Sequence, residues 1–375
     1  MTEIYLIRHA QSEGNLYRLM QGHWNGALTP LGLRQLDALA ERMRGMTFDA
    51  VYSSDLTRAR MTAEAVTRYS GLPIRSTKAL REIDVGPWEG CFFGDLMHDQ
   101  HDSFRQFLTD VSGWKLDGAE TCEDVAVRFA DELTRIAEAE AGKTVAVVSH
   151  GAAIRYGLCR LLGIPMSELR SLPIPGNTAV SRLTYSHGKF TLVLFNDCSH
   201  TDALAVPETA GSANLRAESF DPASDPDHYT ACYRDAWYSA HGSVSGFSPA
   251  PYYQAACEHY AADPRAVLRV YNGEASVGLI DLDTQRGAHA GVGWISLLYL
   301  APELRGRDFG IQLLARAIML YSSLGRTALR LHVAEDNTAA LKFYRRWGFR
   351  ELSSEPGMNG RLLLMEKKLG VYSHE

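Results

Sequence analysis

The stretch Ile4-Tyr5-Leu6-Ile7-Arg8-His9-Ala10-Gln11-Ser12-Glu13-Gly14-Asn15 opens with an unbroken apolar run that ends on an arginine and a histidine. An apolar run without alternation suits a parallel strand covered on both faces. The carboxyl end of such a strand is where open α/β sheets place reactive groups, so Arg8 and His9 stand where chemistry is expected. The pattern recurs. Residues 50–53 and 144–149 are short β-rich runs, the first leading into Asp55-Leu56-Thr57-Arg58 and a helical pattern, the second into His150-Gly151 and another. Such βα units predict an α/β domain with a mostly parallel sheet.

Working outward, Thr29 and Pro30 make an N-cap and first-turn pair for a helix running to about residue 44. Gly45 is placed to end it, and Leu31, Leu36, Leu39 and Met43 would face the sheet. Residues 179–185 and 189–195 flank His187-Gly188, a two-residue turn signal, so this half closes with a hairpin. Residues 207–227 are rich in Pro, Ala, Ser, Asp and Gly with little periodicity. A linker is expected there, set at 206–220 between domains 1–205 and 221–375. Beyond it, 266–271 and 275–281 form a hairpin about Asn272-Gly273, 293–300 is a strand, 309–324 a helix, 328–333 a strand and 338–347 a helix. No internal repeat relates the halves, so two different folds are expected.

At 375 residues the chain exceeds the ~100 to 200 of one domain. With 38 Lys+Arg against 44 Asp+Glu and no long basic run, it lacks the positive stripe that non-specific nucleic-acid binding needs. A content of 46% hydrophobic and 22% charged residues excludes general disorder. Cys91, Cys122, Cys159, Cys198, Cys232 and Cys257 are scattered, with no Cys-x-x-Cys, and read as buried thiols. The N-terminus is charged too early for a signal peptide and no apolar run nears ~18 residues. A reduced, cytoplasmic, soluble protein with no membrane partner is expected.

Four segments carry the first chemistry: Leu6-Ile7-Arg8-His9; Ser53-Ser54-Asp55-Leu56-Thr57-Arg58-Ala59-Arg60; Leu80-Arg81-Glu82 with Gly86-Pro87-Trp88-Glu89-Gly90; and Val147-Val148-Ser149-His150-Gly151. A phosphoryl group in transfer spreads charge over three equatorial oxygens, which planar guanidinium groups meet with paired, charge-assisted hydrogen bonds. Arg8 and Arg58 fit that need. A neutral imidazole nitrogen can attack phosphorus in line and leave when water attacks in turn, and His9 fits that part. His150 suits the hold on an equatorial oxygen. Glu82 suits protonation of the leaving oxygen and then deprotonation of the attacking water, with Asp84 and Glu89 near enough in sequence to serve instead. This chemistry requires no metal.

In this order and spacing the segments resemble the histidine phosphatase superfamily, the phosphoglycerate-mutase-like fold, over about residues 1–200. The resemblance implies a three-layer αβα domain. It makes His9 the phosphorylated nucleophile, Arg8 and Arg58 phosphate ligands, and His150 and Glu82 its catalytic companions. It also places Asn15 and Gln21 on the phosphate, with helix N-terminal amides after His9 adding positive potential. Gln21-Gly22-His23-Trp24-Asn25-Gly26-Ala27-Leu28-Thr29 looks like the family's loop before its second helix. Ala10 stands where the family most often has Gly, which asks that the backbone there avoid φ > 0. The Leu-Arg-Glu segment and its Gly-Pro-Trp-Glu-Gly tail look more like the small phosphatase branch than the mutases. Hydrolysis of a small phosphorylated metabolite is therefore expected, with a phosphoglycerate mutase as the rival. In the insert, Phe92, Phe93, Leu96, Phe104, Phe107 and Trp114 suit either an apolar substrate wall or the packing of a helical lid, the commoner cause. His98 and His101 lack a third metal ligand.

The second half carries Tyr299-Leu300-Ala301-Pro302-Glu303-Leu304-Arg305-Gly306-Arg307-Asp308-Phe309-Gly310 between a strand and a helix, an arrangement that cradles phosphates. Further on comes Glu335-Asp336-Asn337-Thr338-Ala339-Ala340-Leu341-Lys342-Phe343-Tyr344-Arg345-Arg346-Trp347-Gly348-Phe349. Together they resemble the GNAT acyltransferase superfamily over about 215–369, an α+β acyl-CoA N-acyltransferase fold. The resemblance implies that Leu300 and the loop Arg305, Gly306, Arg307, Asp308, Phe309 and Gly310 hold acetyl-CoA, with strand 293–300 pairing the pantetheine. It makes Asn337 a neighbouring contact and Tyr344 the proton donor to the departing thiolate. Asp308 departs from the pattern, which wants Gly so that the backbone can approach the pyrophosphate; a carboxylate brings bulk and like charge, or turns outward. Glu303 and Asp281 are guesses for deprotonating the acceptor amine. Tyr229, Tyr233, Trp237, Tyr252, Tyr253 and Tyr260 crowd the first helices, where the family shapes acceptor specificity.

The sequence thus reads as a bifunctional enzyme, a metal-independent histidine phosphatase fused to an acetyltransferase that uses acetyl-CoA on an amine. The rival is a phosphatase whose second domain senses acyl-CoA or docks a partner. Oligomeric state stays open.

Overall fold

A computed structural model describes residues 1–204, 213–358, 360–370 and 373–374. Two compact units divide the chain, Met1–Phe92 with Leu96–Pro207 forming most of the first and Glu208–Val371 most of the second.

The first unit is a sheet of six strands between helical layers. Its elements are β1 (Thr2–Arg8), α1 (Glu13–Tyr17), α2 (Pro30–Met43), β2 (Ala50–Ser54), α3 (Thr57–Thr67) and β3 (Ile74–Thr77), then α4 (Phe93–Asp99), α5 (His101–Thr109), α6 (Cys122–Ala139), β4 (Thr144–Ser149), α7 (Gly151–Leu162), β5 (Val180–Ser186) and β6 (Lys189–Asp197). The sheet order is β3-β2-β4-β1-β5-β6. β1, β2, β3 and β4 are mutually parallel and β5 and β6 run antiparallel. Ile4, Leu6 and Ile7 are buried, as the unbroken apolar run demands, and Ile7, Val51, Ala146 and Val148 pack with Leu39, Met43, Ala59, Ala63 and Val66 of α2 and α3. α2 starts on Thr29, whose Oγ1 accepts from Gly32 N at 2.9 Å, with Pro30 fixing the first turn. His187 and Gly188 both take positive φ, +52° and +75°, the two-residue turn that closes β5 on β6. The parallel order leaves the carboxyl ends of β1, β2 and β4 side by side at the centre, which gathers His9, the start of α3 and His150.

The second unit holds β7 (Arg216–Ser219), α8 (Pro226–His241), α9 (Pro249–Ala262), β8 (Val267–Asn272), β9 (Ala275–Asp283), β10 (Val292–Leu300), α10 (Gly310–Ser323), β11 (Ala328–Ala334), α11 (Thr338–Arg346), β12 (Arg350–Gly357) and β13 (Gly360–Lys368). The sheet order is β12-β13-β11-β10-β9-β8-β7, antiparallel except for β10 beside β11. Part of the expected linker, 206–212, lies outside the described residues. Another part is structured: Arg216–Ser219 pairs with β8 from Arg216↔Tyr271 to Ser219↔Leu268, because an edge strand needs only one partner and little periodicity of its own. The domain therefore starts before residue 221.

The parallel pair is the local cause of the second site. β10 and β11 pair only from Val292↔Ala328 to Trp294↔Arg330. Beyond Trp294 they diverge, and residues of both strands line a cleft of about 500 Å³.

Candidate active sites

His9 follows β1 and is buried, with Nδ1 2.7 Å from its neighbour's carbonyl, Ala10 O. A carbonyl only accepts, so Nδ1 carries the proton and Nε2 keeps its lone pair. Burial, then the charges of Arg58 and Arg8, hold the imidazole well below its usual range. A neutral ring with a free Nε2 is a nucleophile.

His150 lies with its ring centroid 5.1 Å from that of His9. Its Nε2 is 2.8 Å from Ser54 Oγ. Burial first, then Arg58 and His9, likewise keep it neutral. We assign the Ser54 hydroxyl as donor to Nε2, which puts the proton on Nδ1, and Nδ1 is buried without a partner.

Three further donors share that condition: Arg8 Nε, Arg58 Nε and Gln21 Nε2 are buried and unpaired. Buried polar atoms are normally satisfied; Arg8 and Arg58 act on His9 through their charges and His150 lies beside it, so these orphans mark a place for an anion. The remaining arms are fixed by carbonyls: Arg8 Nη1 donates to Pro175 O at 2.5 Å. Arg58 donates through Nη1 to Trp24 O at 3.0 Å and through Nη2 to Gly22 O at 2.7 Å. Burial lowers the Arg58 pKa to about 10, and the group stays cationic at neutral pH. A Cβ on Gly151 would come 3.2 Å from Arg8 Nε, a tight contact that would require the guanidinium to give by a few tenths of an ångström.

Glu82 is delivered by a loop tied on three sides. Ser149 Oγ donates to Leu80 O at 2.7 Å, Arg128 donates to the carbonyls of Ala79, Arg81 and Glu82, and His23 Nε2 lies 3.0 Å from Glu82 O. Its carboxylate accepts from Ala152 N at 3.0 Å and Ala153 N at 2.8 Å, capping α7 directly behind His150. The two sequence rivals have other work. Glu89 accepts backbone N–H bonds from Gly22, His23, Trp24 and Val85 at 2.7 to 3.2 Å. Asp84 accepts from Gly86 N at 2.8 Å and faces His23 Nδ1 at 3.4 Å.

Asn15 and Gln21 both meet Ser12: Asn15 Oδ1 accepts from Ser12 N at 3.1 Å and Gln21 Oε1 from Ser12 Oγ at 2.6 Å. The amides expected to add potential after His9 are occupied instead. Ala10 N donates to Thr62 Oγ1 at 3.0 Å, Gln11 N to Gln35 Oε1 at 2.8 Å and Ser12 N to Asn15, because α1 starts only at Glu13. Ala10 is not among the positive-φ residues, so its methyl causes no strain. The aromatic residues of the insert pack around Trp88, with Phe104, Phe107 and Trp114 centroids 5.2 to 5.9 Å from it, as a small core rather than a substrate wall. His98 and His101 pair with Asp99 and Asp102 on the surface.

Sequence reasoning missed Asn177, Asn25 and Arg128. Asn177 Nδ2 donates to His9 O at 3.0 Å and to Asn15 Oδ1 at 3.3 Å. Asn25 accepts from Thr57 N at 3.0 Å and so heads the helix that carries Arg58. No motif announces any of them, since each works through long-range contacts to the backbone.

In the second unit the cleft joins Asn337 and Tyr344 with Leu298 of β10 and Val333 of β11. Leu300, Arg305, Gly306, Arg307, Asp308, Phe309 and Gly310 do not line it; they lead into α10, whose third amide, Gln312 N, donates to Phe309 O at 3.0 Å. Two of them differ from expectation. Arg305 is turned inward, its Nε donating to Leu300 O at 2.6 Å and its Nη groups to Ser239 and Asp235, because a strand-end carbonyl and a carboxylate outcompete water for it. Asp308 takes φ +59°, the conformation glycine would take, and its carboxylate bonds Arg346 Nη1 at 2.8 Å. Asp tolerates this region better than most residues, and the ion pair turns the side chain to α11. Asn337 Oδ1 caps α11 by accepting from Ala340 N at 3.1 Å. Burial holds the Tyr344 phenol well above its usual pKa, so it keeps a proton to give.

One unit is an αβα sheet with a neutral histidine among arginines, an arrangement suited to a phosphoryl group, and the other is an α+β sheet with a cleft between two splayed strands. The description "Histidine phosphatase superfamily (branch 1)" matches residues 4–198, and the chain belongs to that superfamily. "Acetyltransferase (GNAT) family" matches residues 227–349, so the two are fused. Among curated relatives, "Probable phosphoglycerate mutase GpmB" of Salmonella choleraesuis is 29% identical over 213 residues, 56% of this chain and 99% of its own. The protein of the same name in Salmonella paratyphi B matches to the same extent, 29% over 213 residues. Among solved structures, Bacillus stearothermophilus YhfR is 29% identical with a TM-score of 0.52, covering 53% of this chain and 99% of that one. No helix among the described residues is long and apolar enough to cross a membrane.

Proposed function

We propose that the first domain hydrolyses a small phosphate monoester through a phosphohistidine on His9. The reading rests on one observation: four unpaired buried donors, Arg8 Nε, Arg58 Nε, Gln21 Nε2 and His150 Nδ1, gathered about a neutral imidazole. His9 Nε2 attacks phosphorus while the donors take the growing charge on the equatorial oxygens. Glu82 protonates the leaving oxygen and then deprotonates the attacking water. Asn15 acts indirectly, through Ser12 and Asn177. The mutase reading, supported by the relatives' name, is separated by incubation with 3-phosphoglycerate: free phosphate supports hydrolysis, and 2-phosphoglycerate without phosphate release refutes it. His9→Ala is expected to lose at least ~1000-fold in kcat and all acid-labile phosphoenzyme; near-wild-type turnover sinks the nucleophile assignment.

We further infer that the second domain transfers acetyl from acetyl-CoA to an amine. The splayed β10 and β11 suit a pantetheine lying between strands, and the loop Gly306–Gly310 with the α10 amides suits a pyrophosphate. Arg307 is an exposed cation of the loop, its Nη1 3.5 Å from Glu303 O, Asn337 borders the cleft, and Tyr344 supplies the proton that the thiolate leaving group needs. Leu300 and Arg305 serve the loop's shape instead. Isothermal titration with acetyl-CoA tests this reading, and absence of binding refutes it. Binding without acetylation of any amine favours the acyl-CoA-sensing alternative.

A further inference from the structure

The cleft of the second unit contains a titratable cluster for which acetyl-CoA binding has no need. Asp281 is 1% exposed on β9, an interior strand. Its Oδ2 accepts from the Tyr229 hydroxyl at 2.8 Å and its Oδ1 faces His259 Nδ1 at 2.6 Å. Two residues along, Asp283 Oδ2 stands 3.5 Å from His259 Nε2. An imidazole from α9 therefore lies between two carboxylates of β9. Asp281 fixes the tautomer, with the proton on Nδ1 and the Nε2 edge beside Asp283. The register of β9 against β10 shifts between Asp281 and Leu282, leaving Ser296 as the extra residue of a bulge that lines the same cleft. Tyr233, Trp237 and Tyr252 also line it, with the rings of Tyr233 and Tyr252 stacked at 4.3 Å. Aromatic faces beside carboxylates fit an organic cation, its body on the rings and its ammonium at the acids.

Resting on the acetyltransferase reading above, we propose that this cleft takes a primary amine carried on an aromatic body and that His259, oriented by Asp281 and flanked by Asp283, receives the proton the amine loses. The step balances. The bound ammonium first gives one proton to solvent; the neutral amine nitrogen then bonds to the acyl carbon, the carbon–sulfur bond breaks, one N–H proton passes to His259 Nε2, and the sulfur takes the phenolic proton of Tyr344. Solvent then carries one proton from His259 back to Tyr344.

The charged and titratable groups that line the cleft with His259 are Asp281 and Asp283 of β9, Tyr229, Tyr233 and His241 of α8, Tyr252 of α9, Tyr344 of α11, Arg286 and His332. Arg286 lies over the Trp294 ring, His332 is held by Glu355 at 3.0 Å, and the Tyr321 hydroxyl of α10 donates to Trp294 O at 2.6 Å. Burial disfavours the imidazolium, but the hydrogen bond to Asp281 and the charges of Asp281 and Asp283 outweigh it, and His259 sits above the usual imidazole range. Acetylation should accordingly fall on the acid side of that raised value.

The test uses the full chain, acetyl-CoA and 2-phenylethylamine. Absence of acetyl-CoA binding by the wild type refutes the acetyltransferase reading itself. With binding in hand, the wild type is expected to acetylate 2-phenylethylamine. His259→Gln should bind acetyl-CoA within threefold yet lose about 100-fold or more in kcat, while His289→Gln, an exposed histidine outside the cleft, keeps most activity. Asp283→Asn should move two things to lower pH by about one pH unit: the acidic limb of kcat/KM, and the NMR titration of the His259 ring in the ligand-free protein. That variant decides the matter where His259→Gln fails to fold. The proposal is overturned by turnover of His259→Gln within threefold of wild type, by an acetyl-CoA-bound wild type that leaves 2-phenylethylamine untouched, or by a titration that Asp283→Asn does not move.

Discussion

Glu89→Gln is a sharp probe of how the phosphatase site is held. Glu89 Oε1 accepts from His23 N at 2.7 Å and Val85 N at 3.2 Å, and Oε2 from Trp24 N at 2.7 Å and Gly22 N at 3.2 Å. The amide keeps one oxygen and turns an NH2 toward two N–H donors, so two charge-assisted bonds are lost and two donors left facing a donor. At about 1.5 kcal/mol for each such bond, the loss is about 3 kcal/mol. In a domain of this size that lowers Tm by roughly 6 to 12 °C. Catalysis should suffer too, because the carbonyls of Gly22 and Trp24 hold both Nη groups of Arg58. A misplacement of about 1 Å costs about 100-fold in kcat/KM. The assays are urea unfolding followed in the first domain and hydrolysis of p-nitrophenyl phosphate. Asp84→Asn is the control, since its one short backbone bond should be worth less than about 1.5 kcal/mol. A Glu89→Gln variant within 0.5 kcal/mol and twofold of wild type, by these order-of-magnitude yardsticks, would refute the reasoning.

His9 and His150 have folded pKa values depressed below an unfolded value near 6.5, so the stability they contribute is present above about pH 6.5 and is lost as pH falls toward the folded values. Each should contribute up to about 1.4 kcal/mol per pH unit, and a His150→Asn variant should flatten the fall of the urea midpoint between pH 7 and pH 5. Asp308→Gly relieves a positive φ but removes a partly exposed ion pair with Arg346, so stability should change by less than about 1 kcal/mol. Its acetyl-CoA affinity by calorimetry should stay within about threefold; a wild type that binds only after the change would show that Asp308 closes the site. Tyr344→Phe should slow acetyl transfer about 100-fold while leaving acetyl-CoA binding intact, and an unchanged rate would remove its acid role.

Much of this protein was legible before any tertiary contact was known. Unbroken apolar runs ending in Arg8-His9 and Ser149-His150 specify strands covered on both faces, and β1 and β4 form from those residues. Thr29-Pro30, His187-Gly188 and the Asn337 cap are local signals, obeyed because a helix start or tight turn depends on only a few neighbouring residues. Three edge strands were illegible: Ile74–Thr77, Arg216–Ser219 and Arg350–Gly357 bury little, so no apolar pattern betrays them.

The sequence by itself determined the two fold classes, most strand and helix positions, and which histidines, arginines and carboxylates are available for chemistry. Tertiary structure alone decided which nitrogen of His9 bears the proton, since that depends on Ala10 O, and that His150 Nε2 meets Ser54, 96 residues away in the chain. It also decided that Glu82 rather than Glu89 stands behind His150, that Arg305 turns inward, and that His259 falls between Asp281 and Asp283. The physical reason is range. Hydrophobic periodicity and capping act over a few residues of chain, whereas protonation state and side-chain direction are set by whatever groups the packed fold brings within about 3 Å.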